Sequence, residues 1–263
     1  ALRLGRTEEA QISAELARRI LADTPGLPRW QIAAVDELLA RIDLETGAIG
    51  RALDRQEVAL RNKRGALGET PPVALSYLTL GRIRAAAGET EDALEDMRHG
   101  LEILREADRG DAVDNARLSA FLSAAYAEAE ANPDRRDGLF AEMFETSQFP
   151  SGGATAQTIG RVVARIDAES YGFLITATAG LEVRRLALTA DDADAAVGRL
   201  REAFEVQAGG SIRPFDMPAS HQLYMAMFGD FAALPSVRHL VIAAQGSLLS
   251  LPFGVLVTAP PTG

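Results

Sequence analysis

The stretch ALSYLTLGRIRAAAGETEDALEDMRHGL, residues 74–101, decides how this chain folds. Apolar side chains recur every three or four residues on both sides of Gly88, which predicts two helices joined by a glycine turn. Helices that pack at close range need small residues where their axes approach, here Gly81 and Ala93, and larger ones on the flanks. Pairs of this size, repeated along a chain, stack into a solenoid.

Upstream, TEEAQISAELARRILADTPG, residues 7–26, reads as a helix capped by Thr7, with acids in its first turn and Ile12, Leu16 and Ile20 in one stripe. Pro25 and Gly26 stop it. Further helical segments rich in alanine and leucine, broken by short turns, run to ATAQTIGRVVARIDA at 154–168. Past residue 168 the period changes. YGFLITA and LEVRRLAL, residues 171–177 and 181–188, predict an antiparallel hairpin turning at Gly180. A helix capped by Thr189 comes next, with Asp191 and Asp192 at its N-terminus and Ala193, Val197, Leu200 and Phe204 expected inside. PASHQLYMAMFGDF, residues 218–231, predicts another helix with Leu223 and Met227 on one face. HLVIAA, residues 239–244, is apolar on both sides, as in a strand covered by helices on both faces of a sheet.

Composition bounds the function. Thirty-seven acidic against 27 basic residues give a formal charge of −10, which argues against a nucleic-acid or anionic-membrane footprint. No apolar run is long enough to span a membrane and the first residues lack a signal peptide's apolar stretch, so the expected compartment is the cytoplasm. The chain contains no cysteine, which excludes disulfides, thiolate metal sites and a cysteine nucleophile within it.

The remaining constellations have plain structural readings. Asp191, Asp192 and Asp194 fit a helix start rather than a cation site. FPSGGATAQTIG, residues 149–160, lacks the preceding strand and the Lys-Ser/Thr pair of a phosphate loop and reads as an interhelical turn. Ser247 lacks the G-x-S-x-G elbow of a hydrolase nucleophile. His221 and His239, with Asp216 near in sequence, read as structural histidines, and His99 sits within a helix of the 74–101 pair. No catalytic residue, metal or cofactor is expected.

Residues 74–101 resemble a tetratricopeptide repeat. Tyr77, Leu80 and Gly81 fall at the family's aromatic, leucine and small positions, Gly88 makes the turn, and Ala93, Met97 and Gly100 lie on the second helix. Arg84 departs from the pattern, no proline closes the repeat, and Leu118, Leu122 and Tyr126 echo it more weakly. Residues 211–258 resemble the opening portion of CHAT domains, a caspase-like peptidase family commonly found downstream of such repeats. The resemblance rests on Pro214-Phe215-Asp216, Leu223-Tyr224, the strand from Leu240 to Ala243, Gly246, Leu248, Leu251-Pro252-Phe253 and Leu256-Val257-Thr258. Phe144, Gln148, Ala164 and Arg165 match the family's linker helices. The resemblance implies an α + α/β architecture: a tetratricopeptide-like array over residues 1–168, then the incomplete opening of a caspase-like CHAT domain over 169–263.

The resemblance further implies a cysteine endopeptidase with a His-Cys dyad, in which the imidazole favours the thiolate and backbone N–H groups stabilise the oxyanion. Neither dyad member is carried here. The expected role is therefore a protein-binding or regulatory repeat region joined to the non-catalytic opening of such a peptidase. Its catalytic remainder is expected beyond LVTAPPTG, residues 256–263, as a continuation or a second chain. A non-enzymatic scaffold or adaptor with a degenerate α/β part, and a repeat protein with an unrelated appendage, stand beside it. By family analogy Leu75, Leu78, Arg82 and Ala85 face a concave groove that takes a protein or peptide, with Arg82 as its polar handle.

Overall fold

The computed structural model describes residues 7–148, 170–176, 180–204, 214–237, 239–244 and 246–260. The expected helix at 154–168, with Ala164 and Arg165, and the glycine-rich 149–160 segment lie outside them. Among the described residues seven α-helices come first: α1 (Thr7–Ala22), α2 (Arg29–Glu45), α3 (Ile49–Leu67), α4 (Pro71–Ala87), α5 (Thr90–Glu106), α6 (Asn115–Ala131) and α7 (Arg136–Gln148). Each packs on the next, and α4 also touches α6. The described chain is mostly helical, an array succeeded by a small part built of one hairpin and two further helices.

The α4–α5 pair shows how the sequence sets this packing. Two prolines open α4, where a missing N–H costs nothing and the fixed φ suits the first turn. Gly88 closes it at φ +84°, with the Glu89 N–H donating to the Arg84 carbonyl at 3.0 Å and the Gly88 N–H to the Ala85 carbonyl at 3.1 Å. Those bonds satisfy carbonyls that a helix end would otherwise leave open, and the left-handed φ favours glycine. The two axes approach closely at two levels. A Cβ on Gly81 would lie 2.5 Å from Met97 Cγ and 2.7 Å from the Ala93 carbonyl oxygen, and one on Gly100 would lie 2.7 Å from the Ala74 carbonyl oxygen. Around this contact Leu78, Leu94, Met97, Leu104, Phe121 and Met143 are buried in one core running into α7.

The helix α1 sits differently from its apolar stripe. Ile12, Leu16 and Ile20 do share a face, but they are 59%, 50% and 58% exposed. The buried side instead carries Ala10 and Ala14, which pack near Leu39 and Ile42 of α2. Alanines allow a closer helix approach than isoleucines would. Arg18 pairs with Asp36 of α2 at 2.5 Å.

The hairpin of β1 (Ser170–Thr176) and β2 (Gly180–Leu186) forms as expected, with Phe173 opposite Val183. Alternation gives it two faces. Tyr171, Phe173, Leu181 and Val183 pack on the helical core. The opposite face holds Gly172, whose bare position admits Phe231: a Cβ there would lie 2.9 Å from the ring. Arg184 Nε donates to the Asp230 carbonyl at 3.0 Å, and Glu182 accepts from the Ala232 N–H at 3.0 Å. The hairpin thus ties the helical array to the 230–232 turn.

The helices α8 (Ala190–Glu202) and α9 (Met217–Phe228) frame a second core of Ala193, Val197, Leu200, Leu223, Met227 and Leu251. Thr189 caps α8, its hydroxyl accepting from the Asp192 N–H at 3.2 Å, and the Asp192 carboxylate in turn accepts from the Thr189 N–H, also at 3.2 Å. Phe204 is not in this core. It is 60% exposed, because α8 ends at Glu202 and Phe204 lies past its last turn.

Residues 240–243 are not a covered strand either. They join no ladder, Leu240 is 42% exposed and Val241 is 96% exposed. A strand needs neighbours to take its N–H and C=O groups, and among the described residues β1 and β2 pair only with each other. The Leu251-Pro252-Phe253 region forms short 3-10 turns, Gly246–Ser250 and Phe253–Val255. Ser220 of α9 anchors them, donating to the Val255 carbonyl at 2.8 Å and accepting from the Val257 N–H at 2.9 Å.

Candidate functional site

Three alternate helices of the array open onto one cavity of about 240 Å³. Glu37, Leu38 and Arg41 of α2, Leu75 and Thr79 of α4, and Arg117 of α6 line it. A stack in which every second helix faces the same side generates such a groove without any special loop. The cavity floor is polar and tightly held. Lys63 of α3 donates to Glu37 Oε2 at 2.5 Å and to Ser76 Oγ at 3.2 Å, Ser76 Oγ also bonds Glu37 Oε1, and the Gln56 amide donates to the Ser76 carbonyl at 3.0 Å. Lys63 and Glu37 therefore neutralise each other, and their partners fix both in place.

The other cations are less well compensated. Arg117 Nη1 pairs with Asp114 at 2.5 Å, and Asp114 also caps α6 by accepting the Arg117 N–H at 2.9 Å. The Arg117 Nε–H, shielded from solvent, has no acceptor. Burial above all, and then the like charges of Arg41 and Arg82, hold the Arg117 pKa below the usual guanidinium value, against the attraction of Asp114 and Glu37. Among the described residues neither Arg41 nor Arg82 has an ion pair or side-chain hydrogen bond. Two half-buried guanidinium groups thus stand unneutralised beside a third.

The residues named from sequence separate here. Leu75 lines the cavity, and Arg82 lies three residues past Thr79, a spacing that makes neighbours on a helix face. Leu78 is 1% exposed and lies under α5, its Cγ 3.1 Å from where a Gly100 Cβ would be. Ala85 is partly buried against the main core. The fold brings Leu75 together with Glu37, Arg41, Thr79 and Arg117, which sequence reasoning did not single out, whereas Arg82 is not among the residues that line the cavity. Thr79 was findable, four residues along the same face from Leu75; Arg41 and Arg117 come from distant segments and carried no such signal.

The other candidates resolve into structural roles. His221 Nδ1 lies 2.9 Å from the Val257 carbonyl, helping Ser220 hold the terminal turns. His99 stacks edge-on against Tyr77 at 4.6 Å and lies 3.5 Å from Glu69. Asp192 is part of the helix cap. Among the described residues no group of three histidine or carboxylate side chains could hold a metal ion, and no helix is long and apolar enough to cross a membrane. A second cavity, of about 290 Å³, lies between α9 and the terminal turns and is lined mainly by apolar side chains, Phe228, Leu234, Phe253 and Leu256 among them. No protein-family model matches the chain, and no curated protein matches it.

Proposed function

We propose that this chain is a tetratricopeptide-like, protein-binding scaffold whose α2/α4/α6 groove docks a segment of another protein. On this reading its hairpin, α8, α9 and terminal turns are the non-catalytic opening of a caspase-like CHAT cysteine endopeptidase, and the groove recruits or senses the protein that controls it. The chain has no cysteine, so it contributes binding rather than the nucleophile. The observation that carries the proposal is the convergence of α2, α4 and α6 on one cavity whose wall combines apolar Leu38 and Leu75 with half-buried arginine. Ligand sites pair apolar surface with a few placed polar groups in this way.

Selecting a phage-displayed peptide library against the chain and against Leu75→Asp tests the groove. Enriched peptides should bind the parent chain and lose at least roughly tenfold in affinity on the variant, since a buried carboxylate replaces an apolar contact. Equal binding to both refutes the groove. The peptidase half is tested by reading the coding frame past residue 263, where apolar strands should be followed by a His-Gly and a Ser-Ala-Cys segment. A frame that encodes no cysteine after a strand refutes it.

A further inference from the structure

The groove's charge says what kind of segment it accepts, and this step rests on the docking role just proposed. In a chain of formal charge −10, cations concentrated in one concave place are not explained by solubility. Arg41 of α2 and Arg117 of α6 both line the cavity, and Arg82 of α4, outside its lining, is a further like charge that with Arg41 disfavours the charged form of Arg117. Asp114 and Glu37 are the carboxylates that act against that repulsion at Arg117. Glu37 is already taken by Lys63, and Asp114 by the α6 cap and one edge of Arg117. Half-buried like charges of this kind are costly unless an anion meets them.

We propose that the α2/α4/α6 groove recognises an acidic protein segment, with an aspartate or glutamate side chain seated between Arg41 and Arg117 and an adjacent apolar residue against Leu38 and Leu75. A carboxylate matches the planar donor fork of arginine, so each guanidinium can give it two parallel hydrogen bonds. Leu38, 37% exposed, and Leu75 give the segment's neighbouring side chain an apolar seat beside the arginines. A nucleic acid fits less well, because it would bring many phosphates against a strongly acidic surface for the benefit of a few cations.

The test uses the full chain and two fluorescein-labelled peptides that alternate leucine with either glutamate or glutamine, read by fluorescence anisotropy. The glutamate peptide should bind at least roughly tenfold more tightly than its glutamine isostere, as expected for charge-assisted against neutral hydrogen bonds. That gap should shrink in Arg41→Gln and in Arg117→Gln, close in the double variant, and persist in Arg19→Gln on the exposed surface of α1. Circular dichroism melting confirms that each variant is folded. Equal binding of the two peptides, with both lost on Leu75→Asp, leaves the groove reading standing and overturns the acidic preference. Binding by neither peptide overturns both. A gap that survives the double arginine variant places the carboxylate elsewhere and overturns the assignment, as does a phosphoserine peptide that binds where the glutamate peptide does not.

Discussion

Replacing Gly81 by alanine puts a methyl group where α4 and α5 touch. Its Cβ would stand 2.5 Å from Met97 Cγ and 2.7 Å from the Ala93 carbonyl oxygen. The methionine is flexible and can swing aside. The carbonyl belongs to the α5 backbone and retreats only if the two helices move apart by several tenths of an ångström. Overpacking of this kind costs about 1–3 kcal/mol, while alanine's better helix propensity returns up to about 1 kcal/mol. The expected net loss is about 1–2 kcal/mol. Gly65 in α3 supplies the control, because nothing lies within 4 Å of its Cβ position, so Gly65→Ala should gain about 0.5–1 kcal/mol from propensity alone. Urea unfolding monitored by far-UV circular dichroism reads both. A Gly81→Ala chain as stable as Gly65→Ala would refute the close approach and with it the packing on which the array is built.

Asp96 gives stability a pH dependence. Burial foremost, with Glu95, Asp92 and Glu57 nearby, pushes its pKa from 3.8 to about 6 despite Arg84 at 2.9 Å. The folded state then holds a proton that the unfolded chain releases, so the stabilisation present below about pH 4 is lost as pH rises through about 6. Two units set a ceiling of roughly 3 kcal/mol, which solvent screening of this incompletely buried carboxyl reduces. Asp96→Asn should flatten this slope and exceed the parent chain's stability above about pH 6, and identical pH profiles would count against it. Ser220→Ala strips the Val255 carbonyl and the Val257 N–H of their shared partner, a loss of about 1–3 kcal/mol in local stability. Hydrogen exchange at the Val257 amide should accelerate roughly tenfold or more, and unchanged exchange would show that Ser220 does not hold the terminal turns.

What was legible in the sequence was what short range decides. The turn at Gly88, the Thr189 cap and the 170–186 hairpin depend on residues a few positions apart, and each stands as the spacing implies. The small residues of the α4–α5 contact were legible for a related reason, since residues as small as Gly81 and Ala93 let two backbones come so near. The exposed Ile12-Leu16-Ile20 stripe was not, because two alanines on the other side of α1 make an equally regular pattern and the neighbour chooses between them. Residues 240–243 carry an apolar run, yet a strand exists only where another backbone pairs with it.

The candidate site divides in the same way. Leu75 follows from the pattern of a single helix, and so could be named without coordinates. Leu78 belongs to the neighbouring face, and only the placement of α5 over it decides that it is buried. Arg41 and Arg117 are separated by whole helices in sequence, and nothing in the spacing between them says that they line one cavity. The sequence by itself determined a cysteine-free helical array with a hairpin after it. Stacking every second helix on one side, a matter of long-range packing that local pattern does not encode, decided that Arg41 and Arg117 would share one groove.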